Sequence, residues 1–542
     1  MKEKEKRCKG KSKVKNMYRT KNQKGITLVA LVITIIIIII LATVTINMAL
    51  GDNGLIKQAQ LAKDMSANST VAEQEEMNRV MEEYLNVMAE DSEIEEPEKP
   101  EFVDVLPTRP SLSNGMTPVK WDSTQSKWVK TTANDSGWYN YANKEWANVV
   151  LTPEEGANAG KDATGTVDVF NSDGTLNENS AYTMLVWIPR YAYQITSGYH
   201  QSGEEINPSD GTTGAGNINI VFIDTNNQNK EKTKTYNETY PNYSTGSGME
   251  DYVVHPAFNY GGTALSGFWV GKYETSSAQG NSNSSSGDNT TSKTVQIKAG
   301  VSSWRYIQIS NMFTVCTNMN SSDNPYGLNT SDSVVDPHMM KNSEWGAVAY
   351  LSQNATYGKG SEVWKNNSST YITGNAGDSV NAESASGVTN AYNTTNGQQA
   401  STTGNVTGVY DMSGGAWEYV AGYVNNGHSN LQTFGSTLVN AADKYKDVYS
   451  IGSSDSESNN YEVSIPTNGK YGDAVYETSS SSNSPHMNSW YSDFSLFPNA
   501  NYPFFARGGY CSATTYAGVF FFYYEFGVAG DFRSFRVVLP VL

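Results

Sequence analysis

The chain has 542 residues, of which 38% are hydrophobic and 17% charged, so it exceeds one ordinary domain and can bury a substantial core. Residues 1–25 hold eleven Lys or Arg against Glu3 and Glu5, which splits the formal net charge of −17 into +9 for this segment and −26 for the remainder; so acidic a body argues against nucleic acid as a partner. The three cysteines, Cys8, Cys316 and Cys511, exclude a disulfide framework or a zinc site and leave room for at most one Cys316–Cys511 bridge.

After the basic segment, Ile26 to Leu50 are 25 residues without a charge, including the run Ile35 to Ile40. At about 1.5 Å per residue this is long enough to span a bilayer as a helix, and the preceding Lys and Arg predict residues 1–25 inside and the body outside the cell. The order Lys24-Gly25-Ile26-Thr27-Leu28-Val29-Ala30-Leu31 resembles the class III signal of type IV prepilins. That resemblance implies cleavage by a prepilin peptidase between Gly25 and Ile26, methylation of Ile26, and possible pilin-like subunits as partners. Pilins usually carry Glu at the fifth mature position, where this chain has Ala30, which argues against a major filament subunit. The alternatives are a plain single-span anchor and a minor pilin or pseudopilin subunit.

Residues 51–92 open with a Gly51–Gly54 break and then keep a helical period. Met77, Val80, Met81, Tyr84, Leu85 and Met88 line one face and Glu75, Glu76, Glu82 and Glu83 the other, as in a stalk helix. Residues 93–115 are rich in Glu and Pro and read as an extended acidic linker. From Met116 onward short apolar and aromatic runs alternate with Gly, Asn, Ser and Asp turns. Strands are expected at Pro118–Trp121, Lys127–Lys130, Met184–Pro189, Tyr191–Ile195, Asn219–Ile223, Gly267–Tyr273 and Val537–Leu539. The best helix is Ser343–Ser352, with Ser343 as its cap. Polar stretches at Ser276–Lys293, Asn366–Asn405 and Thr478–Pro485 read as surface loops.

Several segments then resemble, in order, motifs of the formylglycine-generating-enzyme type of C-type lectin fold. Gly267-Phe268-Trp269-Val270-Gly271-Lys272-Tyr273-Glu274-Thr275 is similar to its early strand, and Lys341–Tyr350 to its helix. Gly408-Val409-Tyr410-Asp411-Met412-Ser413-Gly414-Gly415-Ala416-Trp417-Glu418 is similar to its Tyr-Asp-Met-x-Gly-Asn-x-x-Glu-Trp signature, with Gly415 in place of Asn. Arg507-Gly508-Gly509 and Ser534-Phe535-Arg536-Val537 match its closing segments. The resemblance implies an α+β lectin-type domain over residues 251–542 with an amino-terminal extension over 116–250. Trp345 and Trp417 are expected in the core, and Glu418 in an internal ion pair with Arg507 or Arg536.

No catalytic set emerges. The formylglycine-generating enzymes hold copper with two cysteines close to the carboxy terminus, where this chain has Cys511 alone, so that oxidase is the weaker alternative. The five histidines lack metal-ligand spacing, no nucleophile elbow or phosphate loop occurs, and Asp224–Gln228 lacks the turn Gly and closing Glu of a calcium loop. No enzyme activity, metal or cofactor is expected.

The last stretch carries the functional expectation. Between Tyr510 and Phe532 nine of 23 positions are Phe or Tyr, against 11% aromatic in the whole chain. This content sits between ARGG and SFRVVL, and the whole, about 507–539, resembles the variable region of target proteins of diversity-generating retroelements. In that family adenine-directed mutagenesis of AAY codons rewrites an exposed ligand face while the frame stays constant. Tyr510, Cys511, Ser512, Thr514, Thr515, Tyr516, Phe522, Tyr523, Tyr524, Phe526, Asp531 and Phe532 are residues such codons yield, whereas Glu525 is not. Rigid Tyr and Phe give wide contact for little entropy, as in antibody paratopes. Alternate side chains of Val519–Tyr524 are expected to point inward, with Tyr510–Tyr516 and Phe526–Phe532 facing the ligand. The expectation is a cell-surface, membrane-anchored receptor or adhesin for an extracellular protein or glycan.

Overall fold

The computed structural model describes residues 107–200, 214–244, 247–328, 334–384, 387–450, 470–479 and 487–542. The basic leader with Gly25 and Ile26, the apolar run Ile26–Leu50, the expected stalk helix over 51–92 and the expected linker through residue 106 lie outside the described residues. Within them the architecture is mixed α and β, with many short strands and few helices, none long and apolar enough to cross a membrane.

Seven strands build an antiparallel first sheet in the spatial order His338–Met339, Val537–Pro540, Gly267–Gly271, Met184–Pro189, Asn148–Leu151, Met116–Asp122 and Lys127–Lys130. Met184–Pro189 and Gly267–Gly271 are buried along their whole length, which is why they read as continuous apolar runs rather than alternating ones. Their cross-strand partners Trp187 and Trp269 pack ring to ring at 5.2 Å. Each expected strand is found, with ends moved by up to two residues. The sheet draws strands from both sides of residue 250, and the carboxy-terminal strand is inserted beside Gly267–Gly271.

A second sheet is organised around Trp417–Val424. Phe504–Arg507 pairs antiparallel along one edge, and Arg533–Phe535 and Asp447–Tyr449 pair parallel along the other. Phe522–Glu525 follows outside Phe504–Arg507, then Phe494–Ser495 and Met487–Asn488. Tyr191–Ser197 forms a smaller sheet with Asn217–Phe222 and Val253–Val254.

The helix Asn342–Gln353 is buried from Asn342 to Ser352, so its face cannot be read from amphipathic spacing. Ser343 is not its cap. Lys341 occupies that position, and the orphan first-turn N–H groups go to carboxylates instead: Lys341 N donates to Glu344 at 2.9 Å and Ser343 N to Asp447 at 2.8 Å. Burial raises Glu344, but Lys341 and His338 beside it hold it down to about 2. The stretch Asn366–Asn405 is likewise not simply a surface loop. Asn366, Asn367 and Ser401 are buried, because short polar side chains there satisfy backbone and carboxylate groups: Asn366 donates to Ile372 O and to Asp411, both at 2.9 Å.

Buried polar side chains tie these layers together. The Lys272 ammonium, fully buried, donates to Asn148 Oδ1, Val406 O and Gly408 O at 2.6–2.9 Å and lies over the Trp128 ring. Glu477, also fully buried, accepts from the hydroxyls of Tyr193, Tyr240 and Tyr350 and from Gly472 N. Burial pushes Glu477 up to about 7, and the hydrogen bonds only partly counter it. A folded pKa above the unfolded value means that Glu477 favours folding below about pH 4.5 and loses that contribution as pH rises through about 7. The urea midpoint of the full chain is therefore expected to fall between pH 4.5 and 7.5, and Glu477→Gln to flatten the decline. An identical slope in the variant would contradict this role.

Candidate functional site

The two segments flanking the aromatic tail are fixed in the core. Arg507 is fully buried and donates to Asp473 O, Ala474 O and Asn342 Oδ1 at 3.0–3.2 Å. Gly508 and Gly509 follow at φ +83° and +73°, turning the chain out of the sheet. At the other end Ser534 to Leu539 are buried. The ion pair expected for Glu418 forms with Arg536, whose Nε and Nη2 reach its two oxygens at 3.0 and 2.5 Å; Arg507 does not take part. Glu274 and Asp411 lie buried beside this pair, and burial raises all three carboxyls, Glu418 to about 7. Position 415 has a steric need for Gly. At φ +67° a Cβ there would stand 2.2 Å from Glu274 Oε1, which accepts from Ala416 N at 2.7 Å.

Between these anchors the chain comes to the surface twice. On the first excursion Tyr510 is half-buried, Ser512 and Thr515 are exposed, and Tyr516 is 54% exposed. Thr514 lies in the same short helical turn, its side chain outside the described residues. On the second, Tyr523, Tyr524, Phe526 and Phe532 are half-buried and Asp531 is exposed. Two expected face residues are not on it. Cys511 is 1% exposed, its N–H held by Gly415 O, and Phe522 is fully buried against Phe497.

The expected alternation through Val519–Tyr524 also fails, because only Phe522–Glu525 is strand. Val519 to Phe521 form a turn driven into the core. Trp345 Nε1 donates to Val519 O, and Phe520 N donates to the buried Asp493, both at 2.8 Å. Exposure begins at Tyr523 and Tyr524, whose rings stack at 4.4 Å. Glu525 turns inward instead, 3% exposed and paired with Arg533 at 2.9 Å. The one position of this run that AAY codons cannot produce is thus structural.

Three rings outside the expected set complete the face. Trp417 is half-buried rather than core. It stands 5.1–6.1 Å from Tyr510, Phe521, Tyr523 and Phe532, and its indole N–H has no acceptor among the described residues. Phe494 bridges Tyr516 and Tyr523 at 5.8 and 6.0 Å. Tyr502 leans on Phe526 and Tyr524 at 4.1 and 4.7 Å. With Phe521 this makes one connected network of ten rings. Trp417 was expected in the core, and nothing local marked Phe494 or Tyr502, which are brought in by the fold.

The surroundings hold the face still. Arg533 lies over the Phe532 ring at 4.6 Å, and Arg305, stacked on Tyr371 at 4.1 Å, donates to Asp531 O. Charge at the candidate positions is limited to Asp531. Burial pushes the Cys511 thiol up, away from the thiolate a nucleophile needs. Among the described residues no three His, Cys, Asp or Glu side chains group as metal ligands, and Cys316 and Cys511 are both free and buried. The arrangement can offer ring faces, ring edges and phenol hydroxyls on an ordered backbone. That is the equipment of recognition.

Phe522→Ala is expected to cost about 3–5 kcal/mol of stability, as a fully buried ring does, whereas Tyr524→Ala costs about 1 kcal/mol or less. Urea unfolding of the two variants measures this, and equal losses would place Tyr524 in the core.

Compared with known proteins, the chain matches no family model and no curated protein.

Proposed function

We propose that this protein is a surface-displayed binding protein, a receptor or adhesin, whose ligand face is the aromatic network between Arg507 and Leu539 on a C-type-lectin-type scaffold of the formylglycine-generating-enzyme kind. The observation that carries the reading is the partition within one short stretch. Of the candidate positions, Tyr510, Ser512, Thr515, Tyr516, Tyr523, Tyr524, Phe526, Asp531 and Phe532 are half-buried or exposed, while Glu525, ARGG and SFRVVL are buried. A connected aromatic network that reaches the surface, with Tyr516 54% exposed, is costly to leave in water and is the usual signature of a binding surface.

The scaffold assignment is supported by the antiparallel pairing of the carboxy-terminal strand with Gly267–Gly271 and by the buried Glu418–Arg536 pair that joins two of the motif segments. Delivery follows from the amino terminus: a prepilin-like signal cleaved after Gly25 by a prepilin peptidase, with Ile26–Leu50 in the membrane and the body outside. Diversification by a retroelement accounts for the choice of residues at the exposed positions, and the buried Cys511 and Phe522 are the two where such change would be purged. The ligand is a protein rather than a small molecule, because the rings spread over a surface and do not enclose a cavity. A cleft of about 320 Å³ is lined by other residues, Lys341, Lys444, Asp447 and Tyr471 among them.

The test lies in the DNA. A template repeat beside a reverse-transcriptase gene is expected to match the codons for 507–539 and to differ only where the template has adenine. Mismatches at other bases, or differences that fall on the codons of Glu525, Arg533 or Arg536, would overturn the reading.

A further inference from the structure

We infer that Tyr502, outside the variable-type window, is a constant affinity anchor of the ligand face; this rests on the proposed binding function and extends it. The ring stands 4.1 Å from Phe526 and 4.7 Å from Tyr524, closer than most ring pairs within the window itself, and it is half-buried. Two variable-type side chains, Tyr524 in the strand Phe522–Glu525 and Phe526 just beyond it, therefore lean on a wall that codon rewriting within 507–539 does not reach. The Tyr502 hydroxyl has no hydrogen-bond partner among the described residues, so it is available to a ligand.

The backbone beneath Tyr502 is pinned. Tyr502 N donates to Asn499 Oδ1 at 3.2 Å, and Asn426 Nδ2 donates to Asn499 O and Ala500 O at 3.2 and 3.0 Å. Asn430 Nδ2 donates to Asn501 O at 2.8 Å, and Pro503 fixes the exit into the buried strand Phe504–Arg507. A tyrosine on so constrained a loop loses little conformational entropy when a partner packs on it, which is the property that makes a ring an affinity anchor. The occupant this geometry fits is a protein surface that lays an apolar side chain across Tyr502, Tyr524 and Phe526 together. A diversified face gains from such a constant element, because each new set of side chains starts from contact area already in place.

The experiment uses the full-length chain displayed on bacterial cells, with the variable-type positions randomised and lysozyme as the protein probe. Binders selected from a library that keeps Tyr502 are expected to lose about tenfold in affinity on Tyr502→Ala, roughly the effect of one anchoring ring, and to stay within about threefold on Tyr502→Phe, which keeps the ring. Thermal unfolding of Tyr502→Ala shows whether the fold is intact. Affinities unchanged by Tyr502→Ala across independent binders would overturn the anchor role while leaving the binding function standing. Failure of the Tyr502 library to yield any binder would overturn both.

Discussion

Arg536 is the point at which the two sheets become one structure. It lies between Arg533–Phe535, which pairs with Trp417–Tyr419 in the second sheet, and Val537–Pro540, which pairs with Gly267–Gly271 in the first. Its guanidinium reaches Glu418 in the second sheet, Gly271 O at 2.7 Å in the first, and Tyr410 O at 2.9 Å in the segment that leads to Trp417. All three nitrogens of the rigid fork donate at a crossing that is fully closed to water. A pair so buried is poor evidence for stability by itself, because desolvation offsets much of the attraction. Its worth is in register: it admits one placement of the last strand, and with it one placement of the aromatic stretch that precedes that strand.

From that constraint the division between frame and face follows. The chain leaves the second sheet at Gly508–Gly509, returns for Phe522–Glu525, leaves again, and is recaptured at Arg533. Each return is held by groups unable to vary freely: the Asp493 carboxylate on Phe520 N, the Glu525–Arg533 pair, and Arg305 on the Asp531 carbonyl. What lies between is held at both ends and solvent-facing in the middle. Such an arrangement, on the proposed reading, tolerates side-chain replacement, because these contacts to the backbone and the Glu525–Arg533 pair do not use the side chains being replaced. On the proposed reading the aromatic rings are one filling of a mould that accepts others.

Met184–Pro189 and Gly267–Gly271 were legible because their runs are apolar on both faces, and the two outer segments of the tail because Arg and paired Gly in such surroundings have few other uses. Harder to read was anything decided by pairing across the fold. Trp417 looked like core because large rings usually are, yet its strand position beside Arg533 puts it at the surface. Phe522 and Cys511 looked like face residues because their residue types fit the pattern, but type is blind to the register that turns Phe522 toward Phe497. Tyr502 and Phe494 carried no local mark at all. Period-two reasoning failed over Val519–Phe521 because Trp345 and Asp493, both distant in sequence, pull that segment into a turn.

The central claim is that the backbone of this region is set by the frame and not by the aromatic face it carries. Amide hydrogen exchange on the full-length protein tests it, comparing the parent with a variant in which Tyr510, Tyr516, Tyr523, Tyr524, Phe526 and Phe532 are all replaced by Ser. The account predicts that the amides of Phe504–Arg507 and Arg533–Pro540 keep their protection in the variant. Loss of protection in both strands would mean that the rings hold the fold together, and that they are core after all.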